Sequence, residues 1–168
     1  MPSISFSSKA QWASNFKVFG APFDPKSVYQ FHKYWIAPSQ DSIQEYLEFR
    51  DRYDVPIWLG ESGENTDEWI GQFVQTLEQN SVSWCFWPYK KMEKTSCMVS
   101  IAKPSHWDEI TAFASMPSGT GAAEKRIAAR PSLEHSREAL KDLLAKIEFA
   151  GCSLNHGYLQ ALGMGGVH

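Results

Sequence analysis

Between residues 27 and 88 the chain alternates short apolar runs with stretches of helical period, in the order strand, helix, strand, helix, strand. That alternation is the mark of βαβ units and a parallel sheet, so it constrains the fold more than any other feature. The first run, Val28 to Trp35 (VYQFHKYW), is rich in the aromatic and branched residues that strands favour, and Pro38 and Ser39 end it. The second, Val55 to Gly60 (VPIWLG), is almost continuously apolar, as expected where both faces of a strand are covered. The third, Val82 to Trp87 (VSWCFW), is closed by Pro88.

Two helices are expected between these runs. One spans Ile43 to Tyr53, with Asp41 as its cap and Gln44 reaching back to close a capping box. The other follows an Asn65/Glu68 box and runs to about Asn80, with Trp69, Ile70, Phe73, Val74 and Leu77 along one face. Beyond Lys94 the pattern is helical. Ser105 is read as the cap of a short helix through Ala114, with Trp107, Ile110 and Phe113 inward. Residues 115–132 read as a loop, and Ser132 caps a long helix from Leu133 to Ala150 with Leu140, Leu143, Leu144 and Ile147 as its apolar stripe. A last short helix lies near Gly157 to Leu162, and Ile4 and Phe6 alternate as in a further N-terminal strand.

The length of 168 residues, with 43% hydrophobic content, suits one domain with a single sizeable core. Sixteen basic and 19 acidic residues give a net charge of -3, and the basic residues form no stripe, which argues against a nucleic-acid partner. No apolar stretch is long enough to cross a membrane, and the first residues lack the apolar centre of a secretory signal, so no location is written on the chain. Cys85, Cys97 and Cys152 are odd in number and widely spaced, which fits neither a disulfide framework nor a metal-ligand pair. Neither cofactor nor metal is expected.

Chemistry-capable residues gather at the C-terminal ends of the three expected strands. His32 and Tyr34 lie two apart on the first, Glu61 follows Gly60 at the end of the second, and Trp87 closes the third. In parallel barrels the active site is built at that end, from several strands. Singly, each residue has an ordinary reading: a solvated loop glutamate, a core histidine, a packed tryptophan. Together they read as one sugar subsite. Glu61 supplies a nucleophile, the Tyr34 hydroxyl keeps it ionised and oriented, His32 bonds sugar hydroxyls, and Trp87 offers a flat apolar floor to a pyranose ring.

The three segments VYQFHKYW, VPIWLGESGE and VSWCFWPYK, in that order, resemble strands six, seven and eight of glycoside hydrolase family 5, the cellulase and mannanase family. The resemblance covers roughly residues 11–164. It implies the C-terminal half of a (β/α)-barrel, with three to four parallel strands, covering helices and further C-terminal helices. It further implies a retaining mechanism on β-linked glucan or mannan, with Glu61 as catalytic nucleophile, Tyr34 orienting it, and His32 and Trp87 binding substrate. The family's acid/base glutamate stands in an Asn-Glu-Pro context on an earlier strand, and no Asn-Glu pair occurs in this chain. Glu64 is the nearest other carboxylate in the sequence. The alternative expectation is a catalytically inactive carbohydrate-binding or structural half-barrel. A half-barrel leaves open strand edges, so a second copy or a complementary half is the expected protein partner.

Overall fold

The computed structural model describes Phe16, residues 20–22, Asp24, and residues 26–119 and 121–166. The strand expected around Ile4 and Phe6 lies outside these residues. The chain, expected as one domain, divides into two compact units. The first holds Met1–Lys91, Thr95–Met98 and Asn155–His168; the second holds Met92–Lys94 and Val99–Leu154.

In the first unit, β1 (Tyr29–His32), β2 (Ile57–Gly63) and β3 (Ser83–Trp87) form a parallel sheet in that order. The helices α1 (Gln44–Tyr53) and α2 (Asp67–Gln79) are the connections between them. The fold is therefore α/β with βαβ connectivity, and the described residues form no closed barrel. The strand β1 is shorter than the expected Val28 to Trp35. Val28 is exposed, and the backbone turns at Trp35, whose φ is +52°. The strand β2 is longer than expected, because it carries on through Glu-Ser-Gly.

The core of this unit lies between the sheet and its helices. Tyr29, Phe31, Ile57 and Leu59 are buried and pack with Tyr46, Leu47 and Phe49 of α1 and Phe73 and Leu77 of α2. Phe31 and Tyr46 stack at 4.1 Å between ring centroids, and Phe16 joins them edge-on at 4.8 Å from Tyr46. Fully burying a side chain of this size contributes about 1.5–3 kcal/mol, so these aromatics fix the helix face of the sheet. Both expected caps move. α1 follows a tight 3-10 turn at Gln40–Ser42 and has no side-chain cap, so Asp41 does not serve it. On α2 the cap is Thr66, whose side chain accepts the Trp69 N–H at 3.3 Å, while Asn65 accepts only the Thr66 N–H. The expected short C-terminal helix is present as α6 (His156–Ala161), and its Tyr158, with Leu162 beyond it, packs on Ile70 and Val74 of α2.

The second unit contains β5 (Val99–Ile101), β6 (Ser153–Leu154), and the helices α3 (Trp107–Ala114), α4 (Ala123–Ala128) and α5 (Leu133–Lys146). A second sheet has the order β4-β5-β6, where β4 is Lys90–Met92; β5 and β6 run antiparallel, with Val99 opposite Leu154. The expected helices after Lys94 are present as α3 and α5, with α5 ending at Lys146 rather than Ala150; β5 and β6 are added to them, and α4 interrupts the expected 115–132 loop. Ser132 caps α5 as expected, accepting the His135 N–H at 3.0 Å. α3 is instead entered at His106, whose φ of +55° leaves Ser105 outside the cap position. The stripe assigned to the core of α5 is largely open to solvent: Leu140 is 54% and Leu144 65% exposed, and Ala139 is the helix's buried residue. None of the described helices is long and apolar enough to cross a membrane.

Candidate active site

Glu61 reaches the open face of the first sheet because β2 contains an extra residue. Phe31 pairs with Leu59 and His32 pairs with Glu61, so Gly60 is inserted between two partners that are adjacent on β1. The same excess separates Leu59 from Ser62 where β3 advances only from Trp84 to Phe86. Without this bulge Glu61 would share the parity of Ile57 and Leu59 and point into the helices. With it, Ser62 takes the buried face and Glu61 joins the side of His32, which is how bulges re-aim a side chain beside a site. The approach at Gly60 is close: a Cβ there would meet Gln30 Oε1 at 2.5 Å and His32 Nε2 at 3.3 Å, so the Gln30 side chain would have to shift to admit one. Gly63, with φ +125°, is tighter still, since a Cβ there would lie 2.0 Å from the Trp87 carbonyl oxygen.

Both oxygens of Glu61 are engaged. The Tyr34 hydroxyl donates to Oε1 at 2.8 Å, and His32 Nδ1 lies 3.2 Å from Oε2. Burial, reinforced by the hydrogen bond to Glu61, raises the Tyr34 phenol far above its ordinary value. Tyr34 is thus fixed as the donor and Glu61 as the acceptor. Although β1 ends at His32 rather than passing through Tyr34, the two side chains still converge on one carboxylate. Trp87 lies opposite Gly63 in the β2–β3 register, two residues beyond Glu61, and the residue is 54% exposed. The four residues expected from sequence are therefore placed at one end of one sheet, three of them in direct contact.

Sequence reasoning missed a second ring of residues. Trp35 is half exposed, and its indole N–H donates to the Glu64 carbonyl at 3.3 Å. Trp35 and Glu64 both have left-handed backbones, φ +52° and +53°, a conformation uncommon outside glycine that concentrates around sites. The Glu64 carboxylate is held by Lys91 Nζ, so the carboxylate nearest Glu61 in sequence is committed to an ion pair. The aromatic density of the 28–35 run was the one available signal for Trp35. Nothing local in the sequence marks Lys91, which comes from β4.

The buried Ser62 hydroxyl has no hydrogen-bond partner among the described residues, and neither has the Tyr158 hydroxyl. Glu61, held by Tyr34 and His32, stands at the strand C-termini, the end at which open α/β sheets as a class bind ligands. Comparisons of the chain with protein-family models, with curated proteins and with solved structures return no match.

Proposed function

We propose that the first unit is a glycosidase-type half-barrel in which Glu61 is the nucleophile toward the anomeric carbon of a β-linked glucan or mannan. The observation that carries the reading is the double engagement of Glu61, with Tyr34 on one oxygen and His32 on the other. A carboxylate fixed in this way has one trajectory into the space above the strand ends, as covalent glycosidic catalysis requires. The indoles of the exposed Trp35 and Trp87 supply flat apolar area for pyranose faces.

A leaving-group acid contributes ~10²–10⁴-fold, and with Glu64 paired to Lys91 that group comes from elsewhere on the protein or from a partner. The partner in this reading is a second copy or a complementary half that extends the outer strands β1 and β3. An activated aryl β-glucoside or β-mannoside, whose leaving group needs no protonation, separates the nucleophile from the missing acid. The purified chain is expected to release aryl alcohol slowly, with Glu61→Gln abolishing release while circular dichroism is unchanged. Full activity in that variant removes Glu61 from the role. Oligosaccharide binding by calorimetry, without turnover and lost in Trp87→Ala, supports a carbohydrate-binding unit instead.

A further inference from the structure

We propose that His106, Glu109 and His135 of the second unit form a binding site for a divalent transition metal of the zinc class. Their donor atoms all lie within 4.8 Å of one another. His106 precedes α3 and Glu109 lies one turn into it, so the two share a helix face. His135 comes from the first turn of α5. His106 Nδ1 is 3.0 Å from Glu109 Oε1, and His135 Nδ1 is 2.8 Å from Glu109 Oε2, with the two imidazoles stacked 3.9 Å apart. One carboxylate thus holds two imidazole nitrogens, one at each of its oxygens.

These spacings are close to those of a coordination sphere. Ligand atoms about 2.0–2.2 Å from a tetrahedral zinc stand roughly 3.4 Å from each other, so modest side-chain rotations admit the ion. All three side chains are partly exposed, which leaves them free to make those rotations and gives the ion an entry path.

A second observation points the same way. The far nitrogen of His106, Nε2, is 3.2 Å from Glu138 Oε2. A metal-bound histidine almost always donates its other ring N–H to a carboxylate or carbonyl, which fixes the tautomer and the ring plane. Glu138 therefore holds His106 with Nδ1 toward Glu109 and His135. The first turns of α3 and α5 present positive helix ends, which by themselves repel a cation, and Glu109 and Glu138 offset that charge at the site.

Two nitrogens and one carboxylate select zinc, cobalt or nickel over magnesium and calcium, which take oxygen ligands. Three protein ligands leave the fourth position to solvent. Sequence spacing hides the set, because His106 and His135 belong to different helices.

The test is calorimetric titration of the chelator-treated full chain with zinc, together with the visible spectrum of bound cobalt, whose bands intensify in four-coordinate nitrogen–oxygen sites. One ion per chain is expected. Affinity should fall at least tenfold in Glu109→Gln and in His135→Ala, by roughly tenfold in Glu138→Gln, and not at all in His156→Ala. Glu109 and His135 sit in ordinary helix, so these variants carry the test even if His106→Ala does not fold, with circular dichroism as the check. Absence of zinc binding by the folded chain overturns the proposal. So does unchanged affinity in His135→Ala, or binding that disappears in Cys85→Ser instead.

Discussion

Tyr34 ends its work in one atom, the hydroxyl oxygen 2.8 Å from Glu61 Oε1. Its ring packs beside Trp35, 5.5 Å between centroids, so Tyr34→Phe keeps the packing and deletes only the donor. A hydrogen bond to a charged group is worth about 1.5–3 kcal/mol, so under the proposed glycosidase function turnover of an activated glycoside by Tyr34→Phe is expected to drop roughly tenfold or more. Unchanged turnover would show that His32 alone positions Glu61. At this scale the residue types of the site were legible in the sequence: a carboxylate after Gly60 and a His-x-Tyr pair, each at a strand end. Their convergence was expected from the shared strand end, but its cause, the extra residue at Gly60, was not legible. Strand pairing creates that bulge, and no single segment encodes it. Lys91 stayed hidden for a related reason: its contact with Glu64 spans 27 residues of chain.

The elements were read from periodicity, which reports the residues that share a face but not the surface that face meets. For α2 the reading held, with Ile70, Phe73, Val74 and Leu77 all buried between sheet and α6. For α5 the same kind of stripe lies open at Leu140 and Leu144. Ser132 holds as the cap of α5, while the other three expected caps shifted, since Ser, Thr, Asn and Asp cluster at helix starts and only backbone geometry selects among them. That selection is testable on α2. The Thr66 side chain accepts the Trp69 N–H from the N-cap position, whereas Asn65 accepts the neighbouring Thr66 N–H outside the helix. In urea denaturation Thr66→Ala is expected to lose about 1 kcal/mol and Asn65→Ala distinctly less. The reverse order would restore Asn65 as the cap. The expected strands also erred by length rather than by place, because β1 yields to the left-handed turn at Trp35 and β2 continues through glycine.

At the scale of the whole molecule, the α/β class and the parallel order β1-β2-β3 were legible because each strand is separated from the next by one helical period. The division into two units was not, since the second unit rests on strands of two and three residues, too short to show a period. The core of the first unit nevertheless leaves a signature that solution measurements can read. Of six tyrosines in the chain, Tyr29, Tyr34, Tyr46 and Tyr158 are buried, and burial is the leading cause that raises the phenols of Tyr34, Tyr46 and Tyr158 well above their ordinary value. An unfolded tyrosine ionises near pH 10. Below that pH both states keep these protons, and the contribution of the three groups to stability is complete. As pH rises past about 10 the unfolded chain releases protons that the folded chain retains, so stability falls by about 1.4 kcal/mol per pH unit for each such group. The alkaline transition should therefore be cooperative. Tyrosinate absorbance from these three residues is expected to rise in step with loss of the far-ultraviolet helical signal, and to reverse together with it on return to neutral pH. If Tyr34, Tyr46 and Tyr158 ionise smoothly around pH 10 while the helical signal stays constant, then these three are open to solvent, and the aromatic packing that sets the helix face of the sheet is wrong.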